Sequence, residues 1–203
     1  MEARIQLSVL LVILGCFLVF IPNKQTGKFS VKPGEMALWA SKDTSSLSVD
    51  DVARMISNET PDITLIDVRN ADDFKKCNLP GSVNIPLKNL PDAEHVALLS
   101  RRTGKNIFYS NGDEASSAAL ILSAGLGYKN CSRMRGGLNE WYAQIMNATF
   151  SGVFISAKEN ALFTIRFEAK RLFTQYNSLP DSLKTMLFAS RRLEKVKLDG
   201  GCE

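Results

Sequence analysis

Short apolar runs rich in β-branched residues recur through the middle of the chain, and each is followed by a stretch whose apolar positions fall three and four residues apart. Ile63-Thr64-Leu65-Ile66-Asp67-Val68-Arg69 is such a run, as are Asn106-Ile107-Phe108-Tyr109 and Asn130-Cys131-Ser132-Arg133-Met134. Their continuous apolar character suits strands buried on both faces. The intervening stretches read as helices. Ser48 supplies an N-cap and Asp50 and Asp51 an acidic first turn for one that places Val49, Val52 and Ile56 on one face. Residues 71–76 read as a helical turn, residues 82–86 as a brief strand after the Leu79-Pro80-Gly81 turn, and residues 91–102 as a helix stopped by Gly104. Further helices are predicted from Ser116 to about Leu126 and, after Gly136-Gly137, over the stretch carrying Leu138, Trp141 and Ile145. Strand and helix alternate throughout, which predicts an α/β domain with a parallel sheet covered on both faces.

The flanks follow other patterns. Residues 5–22 are almost wholly apolar and just reach the length that crosses a bilayer, so residues 1–22 are expected to form a transmembrane anchor. Small residues at a cleavage site are lacking before Pro22, which favours an uncleaved signal-anchor over a removed leader. The Leu14-Gly15-Cys16 stretch weakly resembles a lipoprotein box, but the residues after it stay apolar. Arg4 flanks one side and Lys24, Lys28 and Lys32 the other. The short head favours a single-pass protein with its folded domain exported; the lysines would favour the cytoplasm. Residues 23–46 read as a polar tether, 47–148 as the α/β domain and 149–203 as a helical extension. In that extension Leu162, Ile165, Ala169, Leu172 and Tyr176 form one stripe, widened by Phe163, Phe167 and Phe173. A second helix from Pro180 carries Leu183, Met186 and Leu187 and turns basic at Arg191, completing a helical hairpin. The hairpin is expected to pack on the sheet domain, or to serve as an interaction or membrane-surface element. The chain ends in a flexible Gly200-Gly201-Cys202 arm.

Charge and cysteine usage narrow the chemistry. A net charge of +4 over 203 residues, without a basic stripe interleaved with aromatics, argues against a nucleic-acid partner. The four cysteines show no metal-ligand spacing and there is one histidine, so neither a metal nor a cofactor is expected. Cys16 and Cys131 read as buried hydrophobes; Cys77 and Cys202 remain as accessible thiols. His95 falls on the expected 91–102 helix as a surface residue.

The chemistry converges on Tyr109-Ser110-Asn111-Gly112-Asp113-Glu114-Ala115-Ser116-Ser117, a strand end, a tight polar loop and a helix start. The free N–H groups of a helix's first turn make such a loop an anion cradle.

The order of landmarks resembles that of a rhodanese-like domain over residues 48–146. These are Leu65-Ile66-Asp67-Val68-Arg69, Asp73-Phe74, Leu79-Pro80-Gly81-Ser82-Val83-Asn84-Ile85-Pro86, Tyr109-Ser110, Gly125, Gly136-Gly137 and Trp141. The resemblance implies a central parallel sheet of about five strands, with the loop at its carboxyl edge. It also implies a loop whose first residue, in active members, is a cysteine that carries a sulfane sulfur as a persulfide. Here that residue is Ser110, whose oxygen cannot store a transferable sulfur. Where many members carry an anion-binding arginine this chain has Ala115, and Asp113 and Glu114 add carboxylates expected to repel an anion and occupy the cradle's N–H groups. Asn84, Asp67, Arg69 and Asp73 match the family's polar framework, and an Arg69–Asp73 pair is expected to order the helix start.

A degenerate loop at Ser110, Asn111, Gly112, Asp113, Glu114, Ala115 and Ser116 therefore predicts no catalytic residue. The chain reads as a binding or regulatory module, with membrane lipid held by the anchor and a protein partner at the loop or hairpin. An alternative makes it a sulfur-transfer or thiol-redox protein using another thiol. Cys202 is the better candidate because Gly200-Gly201 gives reach and Lys195 and Lys197 would lower its pKa; Cys77 is placed away from the cradle. A hydrolase using Ser110 with His95 as base is the weakest reading, since His95 lacks a strand-end partner.

Overall fold

The computed structural model describes residue 6 and residues 45–149, 156–184 and 186–187. Five parallel strands form one sheet in the order β1-β5-β4-β2-β3: β1 Ser46–Leu47, β2 Ile63–Asp67, β3 Val83–Asn84, β4 Lys105–Tyr109 and β5 Cys131–Met134. The helices are α1 Val49–Ser57, α2 Ala71–Lys76, α3 Val96–Leu99, α4 Asp113–Gly125, α5 Gly137–Trp141 and α6 Ala157–Ser178, with one π-helical turn at Tyr142–Met146.

Side-chain alternation on the central strands divides the core into two layers. Leu65, Ile107 and Tyr109 face α1, α5 and α6 and pack with Val52, Met134 and Trp141. Ile66 and Phe108 face the opposite way and pack with Leu90, Leu99 and Ala119. Each fully buried side chain of this size contributes about 1.5–3 kcal/mol, so both layers are needed to hold the sheet.

Most predicted elements are present. Helix α1 has a full capping box: the Asp51 N–H donates to Ser48 Oγ at 3.2 Å, and the Ser48 N–H donates back to Asp51 Oδ2 at 3.2 Å. Helix α4 starts at Asp113, three residues before the expected Ser116. Asp113 and Glu114 suit a first turn, and the Ser116 hydroxyl donates back to the carbonyls of Gly112 and Asp113 instead of capping.

The 91–102 helix is corrected. The segment forms one 3-10 turn, Ala93–His95, and the single α-turn α3, after an earlier 3-10 turn at Leu87–Asn89. Side-chain amides take the carbonyls a longer helix would use. Asn106 Nδ2 donates to Leu99 O at 3.2 Å, and Asn130 Nδ2 donates to the carbonyls of Arg101 and Arg102. Gly104 is required by close approach rather than as a helix stop. At φ +88 a Cβ there would lie 2.2 Å from Asp62 O.

Helix α6 is capped by Ser156 and Glu159 and packs on the sheet domain. Ala169, Leu172 and Phe173 share a core with Val49, Val52 and Trp141. Arg166 clamps Asp50 through two hydrogen bonds of 2.7 Å, and Asn177 exchanges hydrogen bonds of 3.0 Å with the backbone of Asn78. Among the described residues no helix is long and apolar enough to cross a membrane. Apart from residue 6, the expected anchor at 5–22 lies outside the described residues, as do Cys16, the tether through residue 44, the basic end of the hairpin and Cys202.

Candidate functional site

Strand β4 ends in Tyr109, which is fully buried and fully bonded. Its hydroxyl accepts from the Leu79 N–H at 3.0 Å and donates to Ser82 Oγ at 2.8 Å. Burial first, then the Asp67 carboxylate, pushes its pKa well up, so the phenol stays protonated. This residue ties the loop's root to the Leu79–Ser82 turn.

The loop's backbone is held from α5. The N–H groups of Leu138 and Asn139 donate to the carbonyls of Ser110 at 2.8 Å and Asn111 at 2.9 Å. Only glycine permits this approach. Gly137 has φ +57, and a Cβ there would lie 2.4 Å from Ser110 O. Ser110 itself is 8% exposed, and its hydroxyl has no hydrogen-bond partner among the described residues. Gly112, the N-cap of α4, provides no side-chain cap.

Asp113 does not fill the cradle, contrary to expectation. Its Oδ1 accepts from Arg133 Nη1 on β5 and from the Gly136 N–H at 2.9 Å, so its charge is spent on the β5–α5 turn. Glu114 is exposed on the first turn of α4. The missing cation at Ala115 is therefore partly matched by the neutralisation of Asp113.

The Arg69–Asp73 pair is also corrected. Arg69 pairs with the buried Asp67, its Nε at 3.0 and 3.1 Å from the two carboxylate oxygens and its Nη2 at 2.6 Å from Oδ2. Burial opposes the guanidinium charge, but the hydrogen bonds and field of Asp67 outweigh it and push the Arg69 pKa up. Asp73 instead serves α2, accepting from Lys76 Nζ at 3.0 Å and Asn70 Nδ2 at 2.9 Å while Asn70 caps the helix. A carboxylate buried at the strand end draws the nearest guanidinium inward, away from the exposed Asp73. Asn84 Nδ2 completes the framework by donating to the carbonyls of Asp67 and Arg69.

Arg69 also joins two places that the sequence keeps apart. Its Nη1 donates to Asn111 Oδ1 in the loop at 3.1 Å, and its Nη2 donates to the Cys77 carbonyl at 2.7 Å. Cys77, expected away from the cradle, therefore stands one guanidinium from it. The signal was present in Arg69, whose reach covers both neighbours, but the 42-residue separation from Asn111 hid it. Cys131 is buried at the start of β5, and desolvation pushes its thiol up to about 11. His95 Nε2 lies 3.4 Å from Glu94 Oε1, and no hydrogen bond among the described residues links it to Ser110. No group of three or more potential metal ligands occurs among the described residues.

The rhodanese-like domain family matches residues 48–144. A thiosulfate:glutathione sulfurtransferase of Saccharomyces cerevisiae is 26% identical over 106 residues, covering 47% of this chain and 76% of that protein. An adenylyltransferase and sulfurtransferase of Ogataea parapolymorpha is 31% identical over 117 residues, covering 55% of this chain but 28% of that protein. A solved single-domain sulfurtransferase of Saccharomyces cerevisiae is 23% identical with a TM-score of 0.43, covering 51% of this chain and 93% of that one. These relatives are named as sulfurtransferases, and residues 48–144 of this chain match the rhodanese-like domain family.

Proposed function

We propose that this chain is a membrane-anchored binding or regulatory module whose rhodanese-like loop no longer transfers sulfur. The observation that carries this reading is Ser110 at the head of the loop, where the resemblance implies the sulfur-carrying cysteine. An alkoxide is not available at neutral pH without a base, and among the described residues no hydrogen bond links Ser110 to His95 or any other base. The scaffold around it is intact, from the Asp67–Arg69 pair to the glycine that lets α5 hold the loop. A well-built loop without its nucleophile suits recognition of a partner. The apolar run at 5–22 supports a single-pass anchor with the domain exported, which membrane fractionation with a reporter fused after Cys202 checks.

Gain of function tests the loop. Ser110→Cys alone is expected to give little thiosulfate-dependent thiocyanate, because Ala115 offers no cation. Ser110→Cys with Ala115→Arg is expected to exceed it by about tenfold, as one charge-assisted hydrogen bond to the donor anion predicts. Equal activity of the two variants would contradict the assigned role of position 115.

A further inference from the structure

We infer that an apolar groove between α1, β2 and the Leu79–Ser82 turn is the docking site for this chain's own C-terminal segment, with Phe188 as the side chain that enters it. The groove encloses about 60 Å³ and is lined chiefly by Met55, Ile56, Ile63, Leu65 and Pro80. Ile56 and Leu65 are buried and form its floor, whereas Met55 and Ile63 are only partly covered by the sheet domain. Such a cleft is shaped for one large apolar side chain.

The course of the chain selects the occupant. Gly81, also in the lining, donates its N–H to the hydroxyl of Tyr176 near the end of α6. After Pro180 the chain is helical at residues 181–184 and 186–187, and Lys184 turns back onto the same tyrosine. Its Nζ lies 5.5 Å from the centre of the Tyr176 ring and 2.8 Å from Asp181 Oδ1, and the residue is buried. The chain therefore leaves the described residues beside Gly81, at one end of the groove. Phe188 follows Lys184 by four residues, a reach of at most about 14 Å, and it is the sole aromatic side chain after Tyr176. Charge points the same way. Glu59 stands in the lining, and Arg191 and Arg192 come one helical turn after Phe188.

Docking there makes the helical extension a brace. Tyr176 holds the Leu79–Ser82 turn at Gly81, Phe188 packs against Pro80 from the groove, and that turn in its turn fixes the Tyr109 hydroxyl through the Leu79 N–H and Ser82 Oγ. The groove opens beside Ile63, the first residue of β2, whereas Ser110 follows the last residue of β4 in the parallel sheet. The basic run from Arg191 to Lys197 is thereby rooted away from the Ser110 loop, and the inference is independent of that loop's chemistry.

The test replaces Phe188 by p-benzoylphenylalanine in the full chain, held in lipid nanodiscs, irradiates it and locates the cross-link by peptide mass spectrometry. Attachment within residues 55–65 or 80–81 is expected. Attachment to lipid, to a second copy of the chain or to any other segment would overturn the inference, as would recovery of uncross-linked chain alone. Phe188→Asp gives a second readout without a bulky probe. The N–H groups of Asn58, Glu59 and Thr60 donate to the carbonyls of Arg54, Ile56 and Met55 beside the groove, and their hydrogen exchange is expected to quicken by about tenfold when the aromatic side chain is lost, with exchange in β4 unchanged. Unchanged exchange at those three amides would equally overturn it.

Discussion

The β2–α2 junction and the β4–α4 loop share one edge of the sheet and are built on opposite terms. At the junction the charged groups are paired: Asp67 is fully buried against Arg69, and Arg69 spends its remaining donors on Asn111 and Cys77. In the loop the backbone is held tightly and Asp113 is tied to Arg133 and the Gly136 N–H, but the Ser110 hydroxyl has no hydrogen-bond partner among the described residues. The frame is thus stabilised by groups that do not reach a ligand, and the ligand-facing positions are free to change.

Breaking the junction has the largest expected effect. Arg69→Ala leaves the Asp67 carboxylate buried and unpaired, which should destabilise the domain by about 3–5 kcal/mol in urea unfolding. Gly137→Ala comes next. A methyl group 2.4 Å from Ser110 O at φ +57 should cost about 1–3 kcal/mol and raise amide exchange in residues 110–112. Ser110→Ala should shift unfolding by less than about 0.5 kcal/mol, because no hydrogen bond is lost. A shift as large as that of Gly137→Ala would show that the serine is structural and erase the contrast.

The smallest effect is in acid. Asp51 is held below the ordinary value of 3.8, chiefly by its hydrogen bond to Ser48. Its contribution to α1 is present above that value and disappears as pH falls through the lowered one. Asp51→Asn should therefore flatten the acid limb of the stability curve below about pH 4.

How much of this was legible follows from the range of each interaction. Strands β2, β4 and β5 and helices α1 and α6 rest on local apolar periods and capping residues such as Ser48 and Ser156, which a linear reading captures. The 91–102 segment was misread because Asn106 and Asn130, beyond it in the chain, withdraw its carbonyls. The position of the loop was readable from the order of motifs. Its electrostatics were not, since Asp113 is neutralised by Arg133 twenty residues on. Likewise Arg69 lies four residues from Asp73, but the burial of Asp67 decides its partner. The neighbourhood of Cys77 depends on contacts with Tyr142 and Asn177, 65 and 99 residues away, for Cys77 and Asn78 respectively.

Whether Ser110 carries any chemistry is decided by the rate of thiocyanate formation from thiosulfate and cyanide by the full chain, measured beside Ser110→Ala. Equal rates for the two proteins are predicted. A rate that falls to background in Ser110→Ala would contradict the account, because the serine would then be carrying the reaction.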